Sequence, residues 1–207
     1  MSIIDLDPAI DAGRAARLRA GTHDEHEALD ARIMAAAPFA SVANYGHFLQ
    51  VQHGFHRDID ALYRNPTLDA MLPDLAGRRR FGQVEQDLAD LGFAPPRYDC
   101  APFFGADADL ATALGWLYAA EGSNLGAAFL LKYAIKLGMS ETHGARHLVG
   151  APEGRGKHWK TFTAALDAAP LSAVDEARVI AGGRAAFARV FELVDALLPC
   201  AAASHGW

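Results

Sequence analysis

Cysteine is scarce in this chain of 207 residues, which contains only Cys100 and Cys200. Two cysteines are too few for a disulfide framework, and this pair lacks the close spacing of zinc ligands. Reduced thiols inside the cell are therefore the simplest interpretation. A nucleophilic cysteine in the core is not predicted either, because Cys100 falls in a proline-rich loop and Cys200 lies near the C-terminus.

Long apolar runs are also missing. No stretch of about 20 uninterrupted apolar residues is present, which is the length that a membrane-spanning helix needs. The N-terminal sequence MSIIDLDPAIDAGR carries early acidic residues and no long apolar segment, so it does not resemble a secretory signal. We predict a cytoplasmic protein that does not enter a membrane.

Positive charge is not in excess. Lysine and arginine number 19 against 25 acidic residues, which gives a formal net charge of -6. The one compact basic run, at residues 78–80, is short. A general nucleic-acid binder needs clustered lysine and arginine to contact phosphates, so this class of function is disfavoured.

Alternating β-branched patterns are rare, whereas alanine and leucine are abundant at helical spacing. Proline and glycine clusters separate these segments at typical helix lengths. The pattern predicts an all-α fold with helices near residues 8–19, 23–36, 41–64, 76–91, 108–137, 141–149, 157–168 and 172–198.

The proline-rich segment at residues 94–102 is the one stretch that resembles a linker. Neither side of it contains enough elements for an independent fold, and no internal repeat is visible. We therefore predict a single domain over residues 1–207, with flexible ends at residues 1–7 and 200–207.

The segment YAAEGSNLGAAFLLK places Gly122 and Gly126 four residues apart in a strongly helical run. Each glycine costs roughly 0.5–1 kcal/mol relative to alanine inside a helix, and this spacing puts both on one face. Something is therefore expected to approach the backbone closely there. The sequence leaves two candidates, another helix or a flat ligand.

Two pairs of histidines are spaced three residues apart, as neighbours on one side of a helix are: His23 with His26, and His53 with His56. Each pair lies on one side of its helix. Such residues commonly sit on the solvated face of an amphipathic helix or at the edge of a core. A role as metal or haem ligand requires a second observation.

Two segments together provide this second observation. LRAGTHDEHEALD contains Leu18, Arg19, Thr22, His26 and Leu29 in an order that resembles the proximal helix of haem oxygenases. The later segment LYAAEGSNLGAAFLLK resembles the distal helix of that family, and its Gly-Ser-x-Leu-Gly core is that of the bacterial branch. The resemblance implies a haem-oxygenase-like helical bundle in which haem lies between a proximal and a kinked distal helix.

The resemblance makes His26 the axial ligand of haem iron, a role that suits a neutral imidazole. Gly122, Ser123 and Gly126 would form the opposite wall, where a Cβ atom would collide with the porphyrin. The alternatives are that His26 is a surface residue in a helix capped by Thr22, and that the glycines pack against another helix. His23 is expected to face solvent.

Ser123 occupies the position where the mammalian-type pattern has an aspartate after the first distal glycine. The bacterial branch instead implies a water network that runs through the serine region and a histidine, and by register this histidine is His56. Arg80 is a further candidate for the same network. The alternative for His56 is an ordinary helix histidine paired with a nearby acid.

The two propionates of haem require cations at the mouth of the pocket. Arg19 lies two turns before His26, and Lys132 lies ten residues after Gly122. Tyr118 is one turn before Gly122 and would add a hydroxyl group. The alternatives are solvated charges and a tyrosine at the edge of the core.

The function implied by the resemblance is the oxidative opening of haem to biliverdin, with release of CO and ferrous iron. Haem would be both cofactor and substrate, and O2 and an external electron donor of the ferredoxin or flavoprotein type would be required. A bilin acceptor such as a phytochrome is a further candidate partner. The rival hypotheses are a haem carrier or sensor without turnover, and a non-haem metal oxidase that uses carboxylates such as Glu121.

Overall fold

The computed structural model describes residues 13–198, and this range contains helices and no β-strand. The all-α prediction is confirmed. Three short 3-10 turns lie at residues 62–64, 76–78 and 146–148. The α-helices are α1 (Arg14–Gly21), α2 (His23–Ala35), α3 (Val42–Ile59), α4 (Pro66–Met71), α5 (Phe81–Asp90), α6 (Leu110–Lys136), α7 (Arg155–Ala168) and α8 (Ala173–Leu197).

The predicted helices at 41–64 and 76–91 are each interrupted. The first ends at Ile59, and an unpredicted helix, α4, begins at Pro66, where the Asn65 side chain accepts hydrogen bonds from two backbone N–H groups. Asparagine as N-cap and proline at the first helical position are both favourable for a new start. The second predicted helix begins only at Phe81, after the 3-10 turn.

The helix predicted at residues 141–149 is wrong. This segment is an irregular loop, apart from the 3-10 turn at 146–148. Its backbone N–H groups donate to side chains of α5 instead of to a helical ladder: Gly144 donates to Asp90, and both Arg146 and His147 donate to Asp87. External acceptors therefore replace the helical hydrogen bonds that the sequence pattern predicted.

Three glycines set the distance between α6 and α8. A Cβ atom on Gly115 of α6 would collide with the backbone of α8, and a Cβ atom on Gly182 would collide with the carbonyl of Thr112. Gly183 faces the side chains of Leu18 and Thr22. The two long helices consequently meet backbone to backbone near residue 115.

Helix α8 also supports α1, α2 and α3, while α7 packs against α6. Trp116, Tyr45 and Phe162 are the largest side chains that are wholly buried in the core. No helix between residues 13 and 198 has the length and apolarity that crossing a bilayer requires. The predicted flexible ends at residues 1–7 and 200–207 lie outside the described range, as does Cys200, whereas Cys100 is exposed.

Candidate functional site

Helices α2 and α6 both pack against α8, and we refer to the space between them as the cleft. At one end, Arg19 is close enough to Tyr118 for its charge to lower the pKa of the hydroxyl, although burial raises that pKa more strongly. At the other end, the ring centroids of Phe39 and Tyr133 are 5.5 Å apart. These two contacts place the proximal and distal segments side by side, in the same chain direction.

His26 and Gly126 lie at similar distances along the proximal and distal segments. His26 follows Arg19 by seven residues, and Gly126 follows Tyr118 by eight, so both are about two helical turns from the same end. The two residues therefore lie at corresponding positions along the proximal and distal segments, and their pairing across a ligand stays a prediction.

The two distal glycines have different surroundings. A Cβ atom on Gly126 would meet nothing within 4 Å, whereas one on Gly122 would lie 3.6 Å from Cη2 of Trp159 on α7. Neither glycine is in a tight contact with another helix, unlike Gly115. Close helix packing therefore does not explain this pair. The backbone at Gly126 is open to a ligand, and Trp159 borders Gly122.

Ser123 is exposed on α6, and its hydroxyl group donates a 2.7 Å hydrogen bond to the carbonyl of Ala120. A serine bonded back to its own helix often accompanies a bend. The oxygen of Ser123 still has a lone pair available as an acceptor.

The side chain of His26 is 58% exposed. Its ring meets Phe187 of α8 edge-on, with centroids 5.8 Å apart, and Nδ1 lies 3.5 Å from a carboxylate oxygen of Asp30. Nε2 has no hydrogen-bond partner among residues 13–198. His23 faces solvent as predicted, with Nε2 3.3 Å from Glu27.

Thr22 is the N-cap residue of α2, as the alternative for His26 requires, but its side chain makes no capping hydrogen bond. The hydroxyl of Thr22 donates instead to the carbonyl of Leu18 at 2.8 Å. The side chain is buried where it faces Gly183. This threonine thus joins the proximal segment to α8.

His56 and Arg80 lie together in a buried polar layer beneath α6. Burial, and after it the charges of His147, Arg80 and His53, together lower the pKa of His56 to about 3. No acid among residues 13–198 is paired with His56, so within this range the alternative of an ordinary helix histidine bonded to a carboxylate does not apply. His56 is neutral at physiological pH.

Glu121 connects this layer to the distal helix. Its carboxylate accepts hydrogen bonds from Arg78 Nη1 and from the hydroxyl of Tyr63, both at 3.0 Å. Burial raises the pKa of Glu121, and the charge of Arg78 opposes this effect. Since Glu121 is engaged in this way, it is not free to bind a metal ion, and residues 13–198 contain no cluster of metal-ligating side chains.

Lys132 is separated from the other two propionate candidates. It follows Tyr118 by fourteen residues on the same helix, about 21 Å along the axis, and its Nζ lies 5.5 Å from the ring centroid of Phe129. The structure thus brings Arg19 and Tyr118 together and leaves Lys132 towards the opposite end of the cleft.

Residues 13–196 match the family model described as Heme oxygenase. The chain belongs to the haem oxygenase family. It is 41% identical over 182 residues to heme oxygenase PigA of Pseudomonas aeruginosa, an alignment that covers 88% of this chain and 91% of that protein. The predicted family and enzyme class are therefore confirmed.

Two solved structures have the same fold. The NO- and CO-bound heme oxygenase from Neisseria meningitidis superimposes with a TM-score of 0.85 at 42% identity, covering 93% of this chain and 95% of that one. The heme oxygenase from Leptospira interrogans gives a TM-score of 0.71 at 17% identity, covering 90% and 100%, and this likeness concerns the fold alone.

Proposed function

We propose that this member of the haem oxygenase family opens haem oxidatively to biliverdin, CO and ferrous iron in the cleft between α2 and α6. O2 and electrons from an external donor are required. Two observations support this proposal, an available imidazole nitrogen on His26 and the uncovered backbone at Gly126. One is a ligand for iron, and the other is a surface on which a flat molecule fits.

The residues of the cleft fit haem. Nδ1 of His26 faces Asp30, which leaves Nε2 as the nitrogen available to iron, and a carboxylate behind a ligating histidine typically fixes its orientation. Leu125 and Phe129 of α6 and Met34 of α2 are exposed apolar side chains that a porphyrin would cover. When bound, haem supplies the iron that activates oxygen and the meso carbon that is attacked.

The distal wall would present no bulky side chain to the porphyrin and would supply few polar groups. Gly126 has no side chain that could displace the porphyrin, and Ser123 offers only a hydroxyl oxygen beside it. Behind this wall, His56 is neutral, so it is not a strong acid that would deliver a proton prematurely. We assign His56 and Arg80 to proton transfer through ordered water.

Arg19 and Tyr118 provide a cation and a hydroxyl group at one end of the cleft. The opposite end carries the Phe39 and Tyr133 rings. A haem edge with propionates suits the first end, and an apolar edge suits the second. Lys132 would serve a propionate only in a different in-plane orientation of haem, which would expose a different meso carbon to oxygen.

The experiment that tests the function adds haem to the purified full-length protein, then a reductant in air, and follows the visible spectrum. We expect the Soret band to disappear while a bilin band grows. A stable haem spectrum under these conditions would instead identify a haem carrier. Failure to bind haem would contradict the proposed site. The donor is proposed to be a ferredoxin or a flavoprotein, and a bilin acceptor such as a phytochrome is the proposed recipient of the product.

A further inference from the structure

The part of α6 that carries the distal glycines, residues 118–126, is sparsely packed. Leu125 is exposed, and a Cβ atom on Gly126 would meet nothing within 4 Å. A helical segment with few buried contacts opens more readily than one in a core. The position of this segment therefore depends on side chains that reach it from neighbouring elements.

Two neighbouring elements pack against α6 here, α7 and the 3-10 turn at residues 146–148. Trp159 of α7 borders Gly122, and its ring centroid lies 5.4 Å from that of Tyr118. These contacts support the first turn of the segment. A second side chain of α7, Arg155, supports the next turn.

The guanidinium group of Arg155 bridges two backbone carbonyl groups. Its Nη1 donates a 2.6 Å hydrogen bond to the carbonyl of Asn124, and its Nη2 donates to the carbonyl of Leu148. Asn124 lies midway between Gly122 and Gly126, whereas Leu148 belongs to the 3-10 turn. The planar fork of an arginine holds two acceptors in a fixed relative geometry. This side chain therefore joins the distal helix to the turn.

The surroundings of Arg155 indicate that these two bonds determine its position. A Cβ atom on Gly150 would lie 3.1 Å from Cγ of Arg155 and 3.2 Å from Nε, so the glycine leaves space for the fork. Burial, and after it the charge of Arg80, lowers the pKa of Arg155, which only Glu141 opposes. Among residues 13–198, no carboxylate forms an ion pair with Arg155. Charge pairing therefore does not explain this arginine, and its two carbonyl bonds do.

The turn that Arg155 contacts has further features of a bend. A side chain that donates to a helix carbonyl competes with the helical N–H group for that acceptor, which is a common cause of bending. The Ser123 hydroxyl also donates to a carbonyl of its own helix, that of Ala120. Glycines on both sides lower the resistance of the backbone to such a change.

We propose that Arg155 is a positioning residue for the distal wall. Its fork ties the backbone at Asn124 to the 3-10 turn and thereby sets how closely Gly122 and Gly126 approach a bound haem. The effect on haem rests on the proposed function, whereas the tie between the two elements does not.

The tie is tested by amide hydrogen exchange in the full-length protein without haem. Arg155→Met keeps an unbranched side chain and removes both donors. Exchange at residues 124–128 should accelerate about tenfold or more, the effect of losing a hydrogen bond from a charged group. Residues 112–117, which lie at the contact with α8, should keep their wild-type rates. Unchanged exchange at residues 124–128, or equal acceleration in both parts of α6, would overturn the proposal.

Two further variants separate the fork from its charge and from arginine bonds in general. Arg155→Lys keeps the charge but replaces the fork by one ammonium group on a shorter side chain, so exchange at residues 124–128 should still accelerate. Wild-type exchange in this variant would overturn the role of the fork. Arg57→Met is the matched control, because Arg57 Nη2 donates an equally short 2.6 Å bond to the carbonyl of Cys100, outside α6. Acceleration at residues 124–128 in Arg57→Met would also contradict the proposal.

Thermal unfolding of each variant establishes that it is folded. If Arg155→Met does not fold, Gly150→Val carries the test, because its side chain would displace Arg155 without removing the guanidinium group. This variant should show the same local acceleration at residues 124–128. Wild-type exchange in Gly150→Val would overturn the proposal.

The consequence for haem is measured on the CO complex and in a single turnover. The infrared stretching band of CO reports the surroundings on the distal side, and it should shift or broaden in Arg155→Met. Haem opening should slow about tenfold, because small displacements of a positioning group are costly, while haem affinity changes by no more than about twofold.

An unchanged CO band, or an equal loss of affinity and rate, would overturn the link between Arg155 and the haem cleft. If the exchange results agree with the tie but the wild-type protein does not open haem, the proposed function fails and the tie stands.

Discussion

Glu121 Oε2 lies 3.0 Å from Arg78 Nη1, and the two side chains are only 1% and 2% exposed. The pair joins the distal helix to the 3-10 turn at residues 76–78. Removing one partner of a buried pair leaves an uncompensated charge in the core. Glu121→Gln is therefore expected to lower the free energy of unfolding by about 3–5 kcal/mol, measured by urea denaturation.

The surface pair between Arg178 and Asp109 provides the control, because Arg178 is half exposed. Arg178→Ala should cost no more than about 1 kcal/mol. The double variant Glu121→Gln with Arg78→Met should recover part of the loss, since no buried charge remains. Equal losses in Glu121→Gln and Arg178→Ala would contradict this account of the buried pair.

Gly126 and Gly115 lie on the same helix and should respond in opposite ways to alanine. Gly126→Ala should leave the haem-free protein as stable or raise the free energy of unfolding by about 0.5–1 kcal/mol, because alanine favours the helix and nothing obstructs its Cβ. Gly115→Ala should be strongly destabilising, because its Cβ would collide with α8. Thermal unfolding of both variants measures the difference.

A bulky residue at the open position should affect chemistry before folding. Gly126→Leu is expected to fold but to slow haem opening, because the side chain projects into the space proposed for the porphyrin. Turnover is measured under the conditions of the haem experiment. A variant that binds and opens haem at the wild-type rate would show that Gly126 does not border the reacting face.

His56 should make the stability of the protein depend on pH in a defined window. Its pKa falls from 6.5 to about 3 on folding, so the unfolded chain binds more protons between these values. Stability from this residue is complete above pH 6.5 and is lost as the pH falls towards 3. At pH 5 the loss is about 2 kcal/mol.

His56→Gln should therefore lose less stability between pH 7 and pH 5 than the wild type, as measured by urea denaturation at each pH. The exposed His23 serves as the control, and His23→Gln should keep the wild-type dependence. The same slope in His56→Gln and the wild type would mean that His56 is not neutral and buried in solution.

The axial ligand is tested by comparing the two histidines of the proximal segment. His26→Ala should abolish the normal ligation of iron, seen in the visible spectrum of the ferric haem complex, because it removes the available Nε2. His23→Ala should leave the spectrum nearly unchanged, since His23 faces solvent. The reverse result would place the ligand at the other histidine.

The orientation of haem is tested by the isomer of biliverdin that is formed. Arg19→Ala should change the isomer composition, resolved by chromatography, because it removes the cation beside Tyr118. Lys132→Ala should not, because Lys132 lies towards the other end of the cleft. If Lys132→Ala alone changes the product, the propionates sit at the Lys132 end.

The sequence predicted the long helices, because periodicity is a local signal, whereas the two walls of the cleft stay a prediction. It did not predict α4, although Asn65-Pro66 is a recognisable helix start. The helix predicted at residues 141–149 failed because its backbone donors are satisfied by carboxylates of α5, more than fifty residues away.

The buried pairings lay beyond the reach of sequence patterns. Glu121 and Arg78 are 43 residues apart, and Asp87 and His147 are 60 apart, so no local spacing indicates that they meet. Trp159 likewise contacts the distal glycine only through the packing of α7. The adjacent glycines Gly182 and Gly183, in contrast, were a visible signal for close packing within a long helix.

The contact between Gly115 and Gly182 fixes one half of α6 to α8 by backbone atoms, whereas the half that carries Gly126 has no such support. We therefore expect the backbone contact near residue 115, which lies outside the cleft, to set the distance between α6 and α2. A methyl group at residue 182 would collide with the carbonyl of Thr112, and we expect the resulting shift of α6 to alter the affinity for haem without touching the ligand. We therefore expect the affinity for haem to depend in part on the spacing between these two helices.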